Sequence, residues 1–274
     1  MVNLTMVTLT DLEFEQIAGY LKDNYGINLT KKKTLIESRM ASTLAEKGFT
    51  NYTDYFKYVK NDTTKKEMSH LISKLTTNHT YFLREEEHFQ YFQNILLPEY
   101  EKNNSDREIR IWSAGCSSGE EPYTLAMVIA DYFGLNKSQW KTKILATDIS
   151  LKVLDKAQKA IYPEDSLQNL PAAWKTRYFD RIDEKTYQVK QVIRDEVVFK
   201  QLNLMDNFMF AKKFDLILCR NVMIYFDLPT KQKLVEKFYN VTKPGGHLFI
   251  GHAETISRDA SKYRYIMPAI YHKG

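Results

Sequence analysis

The sequence has few residues of the kinds that build disulfide frameworks, zinc clusters or membrane spans. Its 274 residues include two cysteines, Cys116 and Cys219, and six histidines. Two cysteines without clustered histidines argue against a structural zinc site and are typical of free thiols in a reducing cytoplasm. No apolar run approaches the roughly 18 residues that a membrane helix needs. The N-terminal stretch MVNLTMVTLTDLEFEQ lacks the basic segment and apolar core of a signal peptide. A cytoplasmic protein without membrane insertion is therefore expected.

Charge of one sign is also not strongly in excess. Lys and Arg number 39 and Asp and Glu 34, which gives a net charge of +5. This balance mildly favours an acidic partner but lacks the dense basic character of a dedicated nucleic-acid binder. With 43% apolar and 27% charged residues, the chain is typical of a globular protein of one large or two modest domains.

Helical spacing of apolar residues dominates the first part of the chain. The apolar residues at this spacing include Leu12, Phe14, Ile17 and Leu21 in a first helix and Ile36, Met40 and Leu44 in a second. Thr10 or Asp11 would cap the first helix, and Gly26 and Gly48 would end the two helices. No strand pattern competes here. The sequence therefore predicts an all-helical domain over residues 1–76, followed by a junction over 77–92.

The predicted helical domain carries an uneven charge. From Lys22 to Lys66 there are ten Lys or Arg residues against five Asp or Glu residues. Lys32, Arg39 and Lys47 are seven and eight residues apart, so they fall on nearly one side of the second helix. Two interpretations stay open. The residues form a solvated helix face, or they form a docking surface for an acidic helix or a nucleic acid.

Residues 109–122, IRIWSAGCSSGEEP, combine a short apolar strand, a turn of small residues and the start of a helix. An α/β protein binds nucleotide-like ligands at such a turn, where glycines let the backbone come close. The spacing is not the dinucleotide fingerprint G-x-G-x-x-G, and Glu120 and Glu121 would repel a pyrophosphate. A ligand with an adenosine and a positive centre, such as S-adenosylmethionine, fits better. The alternative is a strand-to-helix turn without a ligand.

Further strands follow this turn in a β-α-β order. The predicted strand Lys143–Thr147, KILAT, is followed by Asp148, at a position where a ribose hydroxyl is commonly held. The predicted strand Phe214–Cys219, FDLILC, is followed by Arg220 and Asn221. Between them, Tyr187–Ile193 and Glu196–Gln201 read as antiparallel strands. The sequence thus predicts a doubly wound α/β domain over 93–274 with an antiparallel insertion over 162–200.

Four segments carry a family resemblance. TTNHTYFLRE, SAGCSSGEEPY, ATDIS and LCRNVMIYF, in this order, resemble the chemotaxis receptor protein-glutamate O-methyltransferases, the CheR family. The resemblance covers nearly the whole chain. It implies a Rossmann-like fold that binds S-adenosylmethionine and transfers its methyl group to glutamate side chains on the helical methylation regions of bacterial chemoreceptors.

The resemblance also implies a set of site residues. The cofactor contacts that it implies are Asn78, Thr80, Arg84, Glu121, Asp148, Asn203, Leu204, Arg220 and Asn221. Arg84 is also expected to act in catalysis by holding a carboxylate through charge-assisted hydrogen bonds, and Tyr225 by orienting the substrate carboxylate. Cys116 stands where relatives can have alanine, and it is small enough for the loop to close. No metal is expected.

The chemistry is consistent with these roles. A glutamate carboxylate is already ionised near neutral pH because its unperturbed pKa is about 4.3. No general base is needed, which agrees with the lack of a Ser/His/Asp or Cys/His arrangement. Proximity and alignment would then supply most of the catalysis. His79 and His88 are given no chemical role.

The expected partners are chemoreceptors, with the basic face of Lys32, Arg39 and Lys47 toward acidic receptor helices, and the enzyme is expected to act as a monomer. The insertion offers an edge strand to a receptor tail, but its turn, IDEKTY, is short and lacks glycine. Dependence on such a tail is not expected.

Two other functions stay open. The first is methylation of RNA, DNA or a small molecule. A nucleic-acid base methylase would favour a proline-aromatic motif where Arg220, Asn221 and Val222 stand. The second is a cofactor-sensing adaptor that binds receptors without catalysis.

Overall fold

The computed structural model describes residues 7–135, 139–257 and 261–274. Residues 1–6, which belong to the predicted helical domain and to the stretch expected to lack a signal peptide, lie outside these ranges. Within the described ranges, no helix combines the length and the apolar character needed to cross a membrane.

Four helices make up the N-terminal part. They are α1 Asp11–Tyr25, α2 Lys33–Lys47, α3 Tyr52–Asn61 and α4 Lys66–Leu75. The side chain of Thr10 accepts the Glu13 amide while the Glu13 carboxylate accepts the Thr10 amide, so α1 begins with a capping box. Gly26 and Gly48 end α1 and α2 with φ of 73° and 74°, the left-handed conformation that the sequence predicts.

One position of the predicted apolar stripe is wrong. Leu12 is 65% exposed, whereas the neighbouring Glu13 is 8% exposed. The Glu13 carboxylate accepts hydrogen bonds from Thr10 and from the amide and hydroxyl of Thr53. Glu13 can thus face the interior although it is charged, because its carboxylate oxygens accept hydrogen bonds that connect α1 to α3.

The junction leads directly into a long helical stretch. Residues 86–103 are helical without a break, as α5 Glu86–Tyr91, a π-helical segment Phe92–Leu96 and α6 Leu97–Asn103. α5 thus begins right after Glu85, whose φ is 55°. The change of chain direction at Glu85 places the start of α5 beside the sheet that follows.

The described residues contain ten strands in two sheets. They are β1 Ile111–Ala114, β2 Ile144–Asp148, β3 Ile161–Pro163, β4 Phe179–Arg181, β5 Thr186–Val189, β6 Val197–Gln201, β7 Phe214–Cys219, β8 Thr242–Ile250, β9 Arg264–Met267 and β10 Ile270–His272. The large sheet has the order β6-β2-β1-β7-β8-β10-β9. Its pairs from β6 to β8 are parallel, and β10 is antiparallel to both β8 and β9. The strand order reverses between β1 and β7, and this is the place where doubly wound sheets bind ligands.

Helices cover both faces of the large sheet. The remaining helices are α7 Glu120–Phe133, α8 Leu151–Lys159, α9 Ala172–Tyr178, α10 Gln191–Arg194 and α11 Leu228–Val241. Successive residues of β7 alternate between two buried clusters: Leu216 and Leu218 join the cluster that includes α7, while Ile217 and Cys219 join the cluster of the opposite face. That second cluster also contains the apolar residues of α1–α4. The predicted fold class, a doubly wound domain preceded by helices, is confirmed.

The antiparallel insertion is smaller than predicted. Its sheet has the order β3-β5-β4, and Gln191–Arg194 is a helix where a strand was expected. The strand Val197–Gln201, placed by the sequence within the insertion, pairs in parallel with β2 as an edge of the large sheet. The prediction was wrong here because an alternating pattern specifies a strand but not its partner.

The C-terminal strands also differ from expectation. Lys243-Pro-Gly-Gly, a sequence typical of a turn, lies inside β8, where Gly245 has a φ of 77° and the pairing with β7 shifts register. The pair β9 and β10 was not predicted. A strand that tolerates an irregularity of this kind gives no continuous alternation in sequence.

Candidate functional site

A cleft opens at the carboxyl ends of β1, β2 and β7, below the N-terminal helices. The sequence-predicted cofactor and catalytic residues all line this cleft: Asn78, Thr80, Arg84, Glu121, Asp148, Asn203, Leu204, Arg220, Asn221 and Tyr225. Ile27 and Ile72 of the helical part also line it. The structure therefore brings together residues that lie almost 150 positions apart in the chain. Their contacts with a cofactor stay a prediction.

The small residues after β1 are required by a close approach of two loops. Gly115 has a φ of 89° and Gly119 a φ of 96°, in the region that favours glycine. A Cβ at Gly115 would lie 2.3 Å from Cγ2 of Val222, in the loop after β7. The amides of Gly115 and Cys116 both donate to the Thr147 carbonyl, at 2.8 and 2.9 Å. The turn thus packs against its neighbours on two sides.

Both cysteines are free and buried beside the cleft, as the sequence predicts. Burial, and then the carboxylates of Asp148 and Glu121, raise the pKa of the Cys116 thiol well above its ordinary value. Burial and the carboxylate of Glu254 do the same for the pKa of Cys219. Protonated thiols are poor nucleophiles, so neither cysteine is a candidate for covalent catalysis.

Asp148 stands at the end of β2 as an acceptor. Its Oδ2 accepts the Ser117 amide and its Oδ1 the Ser150 amide, each at 2.9 Å. Burial raises the pKa of the Asp148 carboxyl, and the hydrogen bonds from these amides oppose the rise. Each carboxylate oxygen can accept a second hydrogen bond. Such an acceptor at the end of the second strand suits the hydroxyls of a ribose.

Arg220 joins two carboxylates at the wall of the cleft. It is 7% exposed, and its Nε and Nη2 donate to Oε2 of Glu85 at 3.3 and 3.1 Å. Its Nη1 donates to Oε2 of Glu121 at 3.0 Å, whose Oε1 accepts the Ser113 hydroxyl at 2.7 Å. Burial raises the pKa of Glu85, but the charge and hydrogen bonds of Arg220 and the amide and charge of His252 together outweigh it, so the pKa lies below its ordinary value. Glu121 and Arg220 line the cleft, whereas Glu85 pairs with Arg220 from outside the lining. Burial raises the pKa of Glu121, and the charge of Arg220 opposes the rise.

Two functional residues, Glu85 and Glu254, were not predicted from the sequence. Glu254 is 5% exposed; its Oε2 accepts the amides of Asn221 and Gly251 at 2.9 and 2.7 Å, and its Oε1 accepts the Ile224 amide at 3.1 Å. It thereby fixes Asn221 at a φ of 59°. Two signals exist in sequence: Glu254 follows a buried strand at ligand level, and Glu85 is adjacent to Arg84.

Asn203 and Asn78 connect the cleft to the rest of the molecule. The Asn203 amide donates to the carbonyl of Asn24 at 2.8 Å, and its oxygen accepts the Met205 amide at 3.0 Å. Asn78 donates to the Ser73 hydroxyl at 3.0 Å. Both side chains therefore hold elements in place, besides lining the cleft.

The two predicted catalytic side chains stand on opposite segments of the cleft. Arg84 lies between two residues of positive φ, Leu83 and Glu85, and its Nη1 donates to the His79 carbonyl at 2.6 Å. The Tyr225 hydroxyl accepts the Thr77 amide at 2.8 Å and donates to the Thr77 carbonyl at 3.1 Å. Tyr225 therefore holds the junction in this structure.

The predicted basic docking face divides into two parts. Lys32 and Arg39 line a groove that shares Thr77 and Tyr225 with the cleft. Arg39 also donates to the carbonyls of Lys74 and Thr76, at 3.2 and 3.1 Å. Lys47 does not line this groove, and its ammonium pairs with Glu67 at 2.9 Å. The groove next to the cleft therefore carries two of the three predicted cations.

Two family models match the chain, one for each part. The model described as "CheR methyltransferase, all-alpha domain" matches residues 12–76, and "CheR methyltransferase, SAM binding domain" matches residues 78–271. The second match covers β1 to β9 and the loops after β1, β2 and β7 that line the cleft.

Full-length relatives give the same result. The chain is 48% identical over 273 residues to a "Chemotaxis protein methyltransferase" of Borreliella burgdorferi, covering 98% of this chain and 96% of the relative. It is 37% identical to a protein of the same name from Escherichia coli, covering 92% of this chain and 87% of the relative. A "Probable chemotaxis protein methyltransferase" of Rhizobium etli is 35% identical over 86% of this chain and 89% of its own length. The chain, with its helical domain and its cleft at the β1–β7 switch point, belongs to the CheR family of S-adenosylmethionine-binding methyltransferases.

Proposed function

We propose that this protein transfers the methyl group of S-adenosylmethionine to glutamate side chains of bacterial chemoreceptors and so forms glutamate methyl esters. One observation carries the proposal: the cleft and the basic groove share Thr77 and Tyr225 as a common boundary. A helix that lies along Lys32 and Arg39 would present a side chain at this boundary. The names of the relatives, which place them in chemotaxis, support the same substrate class.

The residues of the cleft fit the methyl donor. Asp148 offers acceptors for ribose hydroxyls, and the carboxyl group of Glu121, which lines the cleft, would attract a positively charged sulfur. The loop that carries Gly115 approaches Val222 closely enough to close the floor of the cleft. When bound, S-adenosylmethionine supplies an electrophilic methyl group on a sulfonium centre.

The chain supplies position rather than a base. A glutamate carboxylate with a pKa of about 4.3 is ionised at neutral pH and needs no proton acceptor. The work of the cleft is to hold this carboxylate in line with the methyl group and to keep water away. Buried, protonated Cys116 and Cys219 do not compete for the methyl group.

Arg84 and Tyr225 are proposed to hold the carboxylates at the cleft. Among the described contacts, the Arg84 guanidinium donates one hydrogen bond, to the His79 carbonyl, and so keeps four of its five N–H donors for a carboxylate of the substrate or of the donor's methionyl group. Tyr225 would turn its hydroxyl proton from the Thr77 carbonyl to the substrate. Its oxygen can keep the hydrogen bond from the Thr77 amide.

Radiolabelled methyl transfer to receptor-containing membranes tests the proposal. We expect a base-labile label on receptor glutamates. We expect Arg84→Ala to lower turnover by roughly 10² or more, the scale of a misaligned reactant. The matched control is Arg177→Ala, which removes a partly exposed ion pair between Arg177 on α9 and Asp131 on α7 and should keep wild-type turnover.

The outcomes separate the competing functions. Circular dichroism checks that Arg84→Ala is folded, and near wild-type turnover by this variant would remove its proposed role. Binding of S-adenosylhomocysteine without transfer to receptors would favour the adaptor instead. Transfer to RNA or DNA in place of receptors would contradict the glutamate substrate.

A further inference from the structure

Three potential metal ligands meet behind the Arg220 wall of the cleft. Glu85 and His88 are three residues apart at the start of α5, so they share one side of that helix. His252 reaches them from the loop after β8. One donor atom from each of the three residues lies within 4.8 Å of the other two. Two imidazoles and a carboxylate are thus gathered from two separate segments.

His88 is buried without hydrogen-bond partners among the described residues. It is 1% exposed, and neither of its ring nitrogens makes a hydrogen bond. The nearest carboxylate oxygen, Oε2 of Glu85, lies 3.6 Å from its Nδ1. The His252 ring stands edge-on to it at 5.0 Å between centroids. A buried polar group without a partner destabilises the folded chain, and a metal ion would give His88 a partner at this place.

We propose that Glu85, His88 and His252 bind a divalent transition-metal ion of the Zn²⁺ class. Imidazole nitrogens with one carboxylate form a donor set that zinc and its neighbours favour, whereas Ca²⁺ and Mg²⁺ favour oxygen ligands. Ligands at about 2.1 Å in a tetrahedral site lie about 3.4 Å from one another. The cluster is therefore slightly open, and the exposed His252 side chain has to turn inward to close it.

The site shares Glu85 with Arg220. Oε2 of Glu85 faces both the Arg220 guanidinium and His88, while Oε1 accepts the His252 amide at 3.2 Å. A bound cation would draw Glu85 away from Arg220 and leave Arg220 paired with Glu121. Occupancy therefore weakens the wall of the methyl-donor cleft, and zinc is expected to lower the affinity for S-adenosylhomocysteine.

Calorimetric titration of the full, untagged chain with Zn²⁺ tests the site. We expect one equivalent to bind in the wild type. His252→Ala should weaken binding by more than about tenfold, since even outer-sphere partners of a metal contribute 10- to 100-fold. His252 is exposed, so this variant should unfold at the wild-type temperature without metal. His70→Ala on α4, outside the cluster, is the matched control and should bind as the wild type does.

Separate measurements test where the metal binds and whether its binding changes the affinity of the cleft for S-adenosylhomocysteine. Equal Zn²⁺ affinity in wild type and His252→Ala would overturn the site. A thiolate charge-transfer band on titration with Co²⁺ would place the metal at a cysteine and also overturn it. For the coupling, S-adenosylhomocysteine affinity should fall on zinc loading in the wild type and stay unchanged in His252→Ala. Unchanged affinity in the zinc-loaded wild type would contradict the link to Arg220.

Discussion

At the scale of single residues, the turn after β7 depends on one buried carboxylate. Replacing Glu254 with alanine leaves three backbone amides without an acceptor, and each unsatisfied donor costs about 1–3 kcal/mol. Glu254→Gln keeps one oxygen acceptor and should lose less. Urea unfolding and calorimetric titration with S-adenosylhomocysteine measure the two effects. Glu184→Ala, in the exposed turn between β4 and β5, is the control and should change neither.

The order of the Glu254 variants distinguishes support of the turn from a general effect of charge. If the turn depends on acceptors, alanine is worse than glutamine in both stability and affinity. Equal effects of the two variants would contradict the assignment of Glu254 as the residue that positions Asn221.

A second residue-scale prediction concerns pH. His247 on β8 is 4% exposed and lies opposite His272 of β10; Tyr91 also faces it, at 6.2 Å between ring centroids. Burial, and then the charge of His272, lower the pKa of His247 to about 4, against about 6.5 in an unfolded chain. The unfolded state therefore takes up its proton first. The free energy of unfolding should fall as pH drops from about 6.5 toward 4, by up to about 1.4 kcal/mol per pH unit.

Urea unfolding at about pH 7 and about pH 5 measures this dependence. His247→Phe removes the titrating group and keeps a ring in the core. Its free energy of unfolding should fall less over the same interval than that of the wild type. An identical fall in both proteins would assign the acid sensitivity to other groups.

At the scale of elements, the proposed receptor docking depends on the groove that Lys32 and Arg39 line. Lys32→Glu reverses a charge in the groove and should weaken binding to receptor membranes, with an effect that shrinks as salt rises. Arg39→Glu should also weaken it, but it breaks bonds to the Lys74 and Thr76 carbonyls as well. Lys57→Glu, an exposed position on α3, is the control. Cosedimentation with membranes measures binding, and unchanged affinity of Lys32→Glu at low salt would contradict the docking face.

Elements with strong local signals were predictable. α1 begins at a capping box on Thr10 and ends at Gly26, and the apolar run of β7 is buried over its whole length. The pairing of Val197–Gln201 with β2 was not predictable, since period and propensity describe a strand and not its neighbour. The part of β8 around Gly245 was not predicted for a related reason: an irregular strand does not show a regular alternation of apolar and polar residues.

The residues of the site also divide into those that the sequence predicts and those that it does not. Asp148, Arg220 and Asn221 could be placed together because the carboxyl ends of parallel strands meet at one edge of a sheet. Glu85 and Glu254 were missed, although one is adjacent to Arg84 and the other follows a buried strand, since only the folded chain brings their partners, a guanidinium and backbone amides, near. Groups that hold other groups in position leave no spacing pattern in the sequence.

At the scale of the whole molecule, the helices α1–α4 and one face of the large sheet share a buried cluster. We therefore expect one cooperative unfolding transition. The three tryptophans, Trp112, Trp140 and Trp174, report on the α/β part alone, whereas far-ultraviolet circular dichroism reports on helices of both parts. The two signals should give the same urea midpoint. A loss of helical signal at lower urea than the change in fluorescence would contradict the shared core.

The hydrogen bonds between Tyr225 and Thr77 have a consequence for how such enzymes can evolve. Sequence comparison divides the chain at residue 77, between matches that end at 76 and begin at 78. The peptide groups of Thr77 bind Tyr225, the Tyr225 carbonyl accepts the Asn28 amide, and Asn203 binds the Asn24 carbonyl. The side chains in this set, Tyr225 and Asn203, belong to the α/β half, whereas Asn24, Asn28 and Thr77 contribute main-chain groups that any residue other than proline supplies. Exchange of the helical half at this boundary is therefore expected to preserve the hydrogen bonds between the halves.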